Sequence, residues 1–155
     1  MRSDVLNVSS NKYGQSPEAW KYSAKTAGFT AEAGFAYLVT DLDGCAVVLP
    51  APVVGDKIKI VFGAVTSNNH TITCDATTTL FSGYALMLEN ASTLTPAQNI
   101  VFAPDETDDD VFSMNGTTTG IVGSRVRVTN IAADIWSVEG TILHTGNTAT
   151  PFSNS

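Results

Sequence analysis

Between Cys45 and Leu88 the chain alternates strand-length apolar runs with short polar turns. In Lys57–Phe62 charged and apolar residues exchange places at every step, the period-two pattern of a strand with one buried face. Residues 70–74 repeat the pattern after the turn Ser67-Asn68-Asn69, and Gly83 leads into a further run at 84–88. Upstream, the runs 36–40 and 45–49 flank Asp41-Leu42-Asp43-Gly44, whose Asp-Gly pair predicts a tight hairpin. Downstream, segments 99–103, 111–114, 124–130, 135–140 and 141–144 read as strands, with Asn115-Gly116 as a second turn signal. The cleanest alternation is 124–130, which turns Val126 and Val128 inward and Arg125 and Arg127 outward. The pattern predicts an all-β domain, an antiparallel β-sandwich or jelly-roll-like barrel, over residues 31–155.

Residues 1–30 read differently. The first fifteen are polar apart from Val5, Leu6, Val8 and Tyr13, and are expected to form an arm, either loose or laid on a neighbouring subunit. Ser16-Pro17-Glu18 has the form of a helix start, which predicts a short helix over 17–25 with Trp20 and Ala24 on one face and Gly28 beyond its end.

Composition sharpens this picture. The chain is 43% hydrophobic but only 15% charged, so either uncharged polar residues cover the surface or apolar surface is buried between subunits. Exposed sheet edges favour the second. With 8 Lys and Arg against 15 Asp and Glu, the net charge is −7, which argues against a nucleic-acid partner. No apolar run approaches the ~20 residues that span a bilayer, and the first seven residues lack a signal-peptide core, so neither membrane insertion nor ordinary secretion is expected.

Candidate chemistry is sparse. His70 and His144 are the only near-neutral bases, and each reads first as a strand-end or turn histidine. A degenerate hydrolase pairing His144 with Asp134 is the weakest alternative. Five carboxylates in residues 105–110, with Asp105, Asp108 and Asp110 as candidate ligands, suit a hard cation such as calcium, but the EF-hand spacing is missing and a solvated acidic loop is the plainer reading. Cys45 and Cys74 are buried thiols or a disulfide, and no zinc pattern accompanies them. Trp20 and Trp136 could stack on sugars, although Trp136 alternates with Val138 and belongs more naturally in the core. No cofactor, catalytic set or small-molecule substrate is expected.

Two stretches, VVLPAPVVGDKIKIVFGAVTSNNHTIT and GSRVRVTNIAADIWSVEGTILHTGNTATPFS, resemble the small virion proteins of bacteriophages that decorate, or cement, capsids. The first is an apolar run ending Leu-Pro, a Gly-Asp turn and two strands. The second has a Trp-x-Val-x-Gly strand ahead of a terminal Thr-Pro-Phe. The resemblance implies a homotrimer of β-sandwich or jelly-roll-like subunits, made in the host cytoplasm and seated on the outer capsid surface against the major capsid protein. It implies subunit or capsid contacts through Val5, Leu6, Tyr13, Trp20, Pro151 and Phe152. The alternative it leaves open is a tail-fibre or baseplate module that binds host glycans.

Overall fold

A computed structural model describes residues 20–64, 69–76, 78–89, 99–105, 107–115, 122–145 and 148–155. They hold the strands β1 (Lys21–Lys25), β2 (Phe29–Thr30), β3 (Phe35–Val39), β4 (Ala46–Val48), β5 (Lys57–Phe62) and β6 (His70–Thr73). These are followed by β7 (Leu80–Glu89), β8 (Ile100–Phe102), β9 (Val111–Met114), β10 (Arg125–Ala132), β11 (Ile135–His144) and β12 (Phe152–Ser153). No helix occurs among the described residues, so the all-β expectation holds.

Two sheets form, a seven-stranded one in the order β1-β3-β5-β10-β11-β7-β8 and a five-stranded one in the order β12-β9-β6-β4-β2. From β1 to β6 the chain alternates between them. Each crossing lays a strand parallel to the one placed two elements earlier, in β1·β3, β3·β5, β2·β4 and β4·β6. The later strands close the sheets with antiparallel pairs, β5·β10·β11 and β7·β8 in the larger sheet and β6·β9·β12 in the smaller. Only β7 and β11 depart from this, running parallel over ten register pairs from Ile135↔Leu80 to His144↔Glu89. Both sheets are mixed and no closed barrel forms among the described residues, which corrects the antiparallel expectation. Period two reports which face of a strand is buried. It says nothing about which sheet receives the strand.

Rows of inward side chains show how the two sheets share one core. Across the smaller sheet Phe29, Val47, Ile72, Phe112 and Phe152 stand in successive register. Across the larger sheet the corresponding row is Tyr37, Ile60, Val126, Gly140, Ala85 and Phe102. Both rows feed one apolar cluster, an arrangement consistent with a β-sandwich. Trp136 is the largest side chain fully buried there, which gives it a core role and removes it as a sugar platform.

Four local expectations change. Lys21–Lys25 is a strand, not a helix; residues 17–19 lie outside the described set. Pairing with β3 gives its backbone a full ladder, and the Lys21 and Lys25 ammonium groups sit 5.3 Å and 4.9 Å from the Phe35 and Phe29 ring centres. A helix of about two and a half turns over 17–25 has no comparable support. The Asp43-Gly44 turn exists, with the Asp43 N–H donating to Asp41 Oδ1 at 2.8 Å and Gly44 at φ 95°. It carries the chain from β3 in one sheet to β4 in the other, so it is a corner and not a hairpin. Finally, 135–144 is one strand, and β7 begins at Leu80, ahead of Gly83.

Gly83 explains why β7 tolerates a glycine in mid-strand. Its φ is 100°, and a Cβ there would collide with the backbone of Val138, the carbonyl oxygen first. The parallel pairing with β11 therefore demands glycine twice over, by conformation and by space. Gly34, at φ 81°, has nothing within 4 Å of a built Cβ. Gly34→Ala should cost about 1–2 kcal/mol from conformation alone, and Gly83→Ala more than about 3 kcal/mol. Urea unfolding of the two variants checks this; equal losses would contradict the β7·β11 register.

Candidate functional site

The acidic loop is only partly the group the sequence suggests. One carboxylate oxygen from each of Asp105, Asp108 and Asp109 lies within 4.8 Å of the others. Asp105 Oδ1 accepts the Thr107 N–H at 2.9 Å and the Asp108 N–H at 3.3 Å, while Asp109 Oδ2 accepts the Asp105 N–H at 2.9 Å. The Thr107 bond leads in holding the Asp105 carboxyl below its ordinary pKa, and the neighbouring Asp105 charge pushes Asp108 up. The three carboxylates could offer oxygens to a hard cation, but these turn bonds account for their clustering without one.

Asp110 does not join the cluster. It is buried and faces the C-terminus, accepting the Ser155 N–H at 2.7 Å and the Ser155 hydroxyl at 2.9 Å. The same clamp holds β12 in place. Pro151 and Phe152 are buried in their own chain, with Phe152 packed edge-on to Phe112 at 5.3 Å. The structure thus places these two interface candidates in the core, while Val5, Leu6 and Tyr13 lie outside the described residues.

The histidines are buried, not poised at the surface. His70 Nδ1 accepts the Cys45 N–H at 3.0 Å, so the ring proton sits on Nε2, 3.3 Å from the Ala64 carbonyl. Burial holds His70 below its ordinary pKa, against smaller opposing contributions from the Ala64 bond and the Asp41 charge. This ring ties β6 to the start of β4. His144 lies at the far end of β11 from Asp134, which turns at φ 61° between β10 and β11. Ten residues of extended strand separate them by ~33 Å, so they form no dyad.

Cys45 and Cys74 are free thiols, and burial pushes them up to about 11 and about 12. Cys45 stands just before the Ala46↔Thr71 pair and Cys74 just after Val48↔Thr73. That offset of four positions is ~13 Å along the strands, beyond the reach of a disulfide.

The concave feature that sequence reasoning missed lies on the outward face of the seven-stranded sheet. A cleft with a volume of about 290 Å³ is lined by Trp20, Lys59, Tyr84, Arg125, Arg127, Glu139 and Thr141, among others. One register row supplies most of it: Lys59 opposite Arg127, Arg127 opposite Glu139, Glu139 opposite Tyr84. The Trp20 ring stands 5.9 Å from the Arg127 guanidinium. Two like charges directly opposite each other, Lys59 and Arg127, are unfavourable unless an anion or a carboxylate answers them. The alternations in Lys57–Phe62 and 124–130 do signal outward cations. Nothing local says that β5 and β10 are neighbours, and only that pairing joins them.

Beside this row runs a largely apolar one: Leu38, Val61, Arg125, Thr141, Leu86 and Val101. Leu38 is 44% exposed, Tyr84 46% and Val101 59%. The outward face of the smaller sheet has no charge among its strand residues, which are Thr, Ser, Ala and Val, as in the row Thr30, Val48, Thr73, Val111, Ser153.

Comparison of the chain with models of known protein families, with curated proteins and with solved structures finds no match. No helix among the described residues is long and apolar enough to cross a membrane.

The His70 geometry sets a pH dependence. A histidine whose folded pKa lies below its unfolded value contributes stability that is full above ~6.5 and is lost as pH falls toward the folded pKa. Melting temperature should therefore drop between pH 7 and pH 5. His70→Gln should be less stable at pH 7 yet lose less over that interval; identical losses in both proteins would contradict the buried neutral ring.

Proposed function

We propose that this chain is a structural virion protein, a decoration or cement protein that binds the assembled head of a bacteriophage as a homotrimer and stabilises it. The two-sheet body is read as a β-sandwich whose first half departs from jelly-roll order, because its neighbouring strands run parallel. The observation that carries the reading is the outward surface of the seven-stranded sheet. There Leu38 and Val61 on one side, and Leu86 and Val101 on the other, share a row across the sheet with Arg125 and Thr141 between them, and Tyr84 stands on the adjacent row. Exposed apolar side chains interspersed with a few polar and arginine groups are the usual make-up of a protein-binding face. A low proportion of charged residues, 15%, fits a subunit whose partners are itself and a major capsid protein, on the outer surface of a shell assembled in the host cytoplasm.

Such a protein would act by linkage. Binding that exists only on the assembled lattice stabilises that lattice in proportion to occupancy and affinity. A second reading, a tail-fibre or baseplate module binding host glycans, draws on the cleft between Trp20 and Tyr84.

Copy number in the purified parent particle separates the two. A molar amount comparable to the major shell protein is expected, together with a lower melting temperature for particles lacking this chain. A few copies per particle would shift the assignment to the fibre module, and absence from the particle would overturn both.

A further inference from the structure

The larger sheet's outward face carries an electrostatic sign opposite to that of the whole chain. Its strands β5 and β10 present Lys57, Lys59, Arg125 and Arg127, half of the 8 basic residues in the sequence. One carboxylate, Glu139, stands on the same strand face, beside Arg127. The chain as a whole has a net charge of −7. A local cationic field within a negative molecule selects for small anions. An extended polyanion would leave the cationic patch and meet acidic surface within a Debye length of ~8–10 Å.

The cleft adds shape and chemistry to that field. Its volume of about 290 Å³ suits one or two sugar rings better than a length of peptide. Trp20 and Tyr84 supply aromatic surface against which the C–H face of a pyranose packs. Glu139 is an acceptor for sugar hydroxyls, and Thr141 both donates and accepts. Arg125, Arg127 and Lys59 are the donors for a carboxylate, and a guanidinium can hold one with two parallel bonds.

We propose that this cleft binds a carboxylate-bearing saccharide, a uronic or sialic acid residue, with its ring against Trp20 and Tyr84 and its carboxylate among Lys59, Arg125 and Arg127. The proposal shares a ligand class with the glycan-binding reading but does not depend on a place in a fibre. A decoration protein spread over a shell could carry the same site. Its failure would leave the shell-binding proposal standing, because the apolar residues Leu38, Val61, Leu86 and Val101 lie outside the lining of the cleft.

The test uses the purified full chain in calorimetric titrations and saturation-transfer NMR with glucuronate disaccharides, sialyllactose, their methyl esters and neutral lactose. The expected result is binding of the free acids, at least about tenfold weaker binding of the esters, and weakening by 0.5 M salt. Arg125→Ala and Tyr84→Ala alter exposed side chains, so both should fold with unchanged melting temperature and lose affinity about tenfold. Tyr84→Phe, which keeps the ring, should retain binding. Binding of acids and esters with equal affinity, no binding to any carboxylated sugar, or unchanged affinity in both alanine variants would overturn the proposal. So would capture of an aspartate-rich peptide without any sugar, which would assign the cleft to a protein partner.

Discussion

Two sheets have to fill a single core, and the first half of the chain meets that demand by crossing the core at nearly every connection. Because β1 to β6 alternate between the sheets, successive strands meet across the core, as the Phe29 ring meets Tyr37 at 4.6 Å and the Phe62 ring meets His70 at 5.2 Å. The consequence is a core built from interleaved rows, with Phe29, Val47, Ile72, Phe112 and Phe152 on one side and Tyr37, Ile60 and Val126 on the other. The later strands depend on this scaffold. β10 takes its place by pairing with β5, and the ten-position register of β7 on β11 then brings Tyr84 to the row that holds Lys59 and Arg127.

The alternating runs revealed the class of fold and most inward residues, since strand periodicity is local. Ile58, Ile60, Val126, Val128 and Trp136 are buried as their patterns indicate. What stayed hidden depends on pairing between distant segments. A turn such as Asp43-Gly44 has the same residues whether it closes a hairpin or carries the chain between sheets. The Ser16-Pro17-Glu18 signal describes only a helix start, and the ladder with β3 outweighed it for Lys21–Lys25. Gly83 looked like a strand boundary because its reason for being glycine is the backbone of Val138, 55 positions away by sequence numbers.

The candidate sites followed the same rule. Asp105 and Asp108 meet as an acidic tract suggests, but Asp110 is drawn off by Ser155, and Pro151 and Phe152 are drawn into the core with it. Trp20 alone of the described interface candidates reaches an open surface feature, and it does so beside Arg127. Topology therefore moved the interesting surface from the chain ends to the outward face of the larger sheet. An apolar row and a cationic cleft there lie side by side, and the low charge of the sequence acquires a location. The smaller sheet, whose outward strand residues are uncharged Thr, Ser, Ala and Val, contributes the rest of that deficit.

Side-chain oxidation footprinting of the free chain and of the chain in its assembled form tests the central claim, that this face is where the protein associates. On assembly Leu38, Leu86, Tyr84 and Val101 should lose reactivity while Val48 and Val111 of the smaller sheet keep theirs. Protection confined to Val48 and Val111, or unchanged reactivity across the larger sheet, would contradict it.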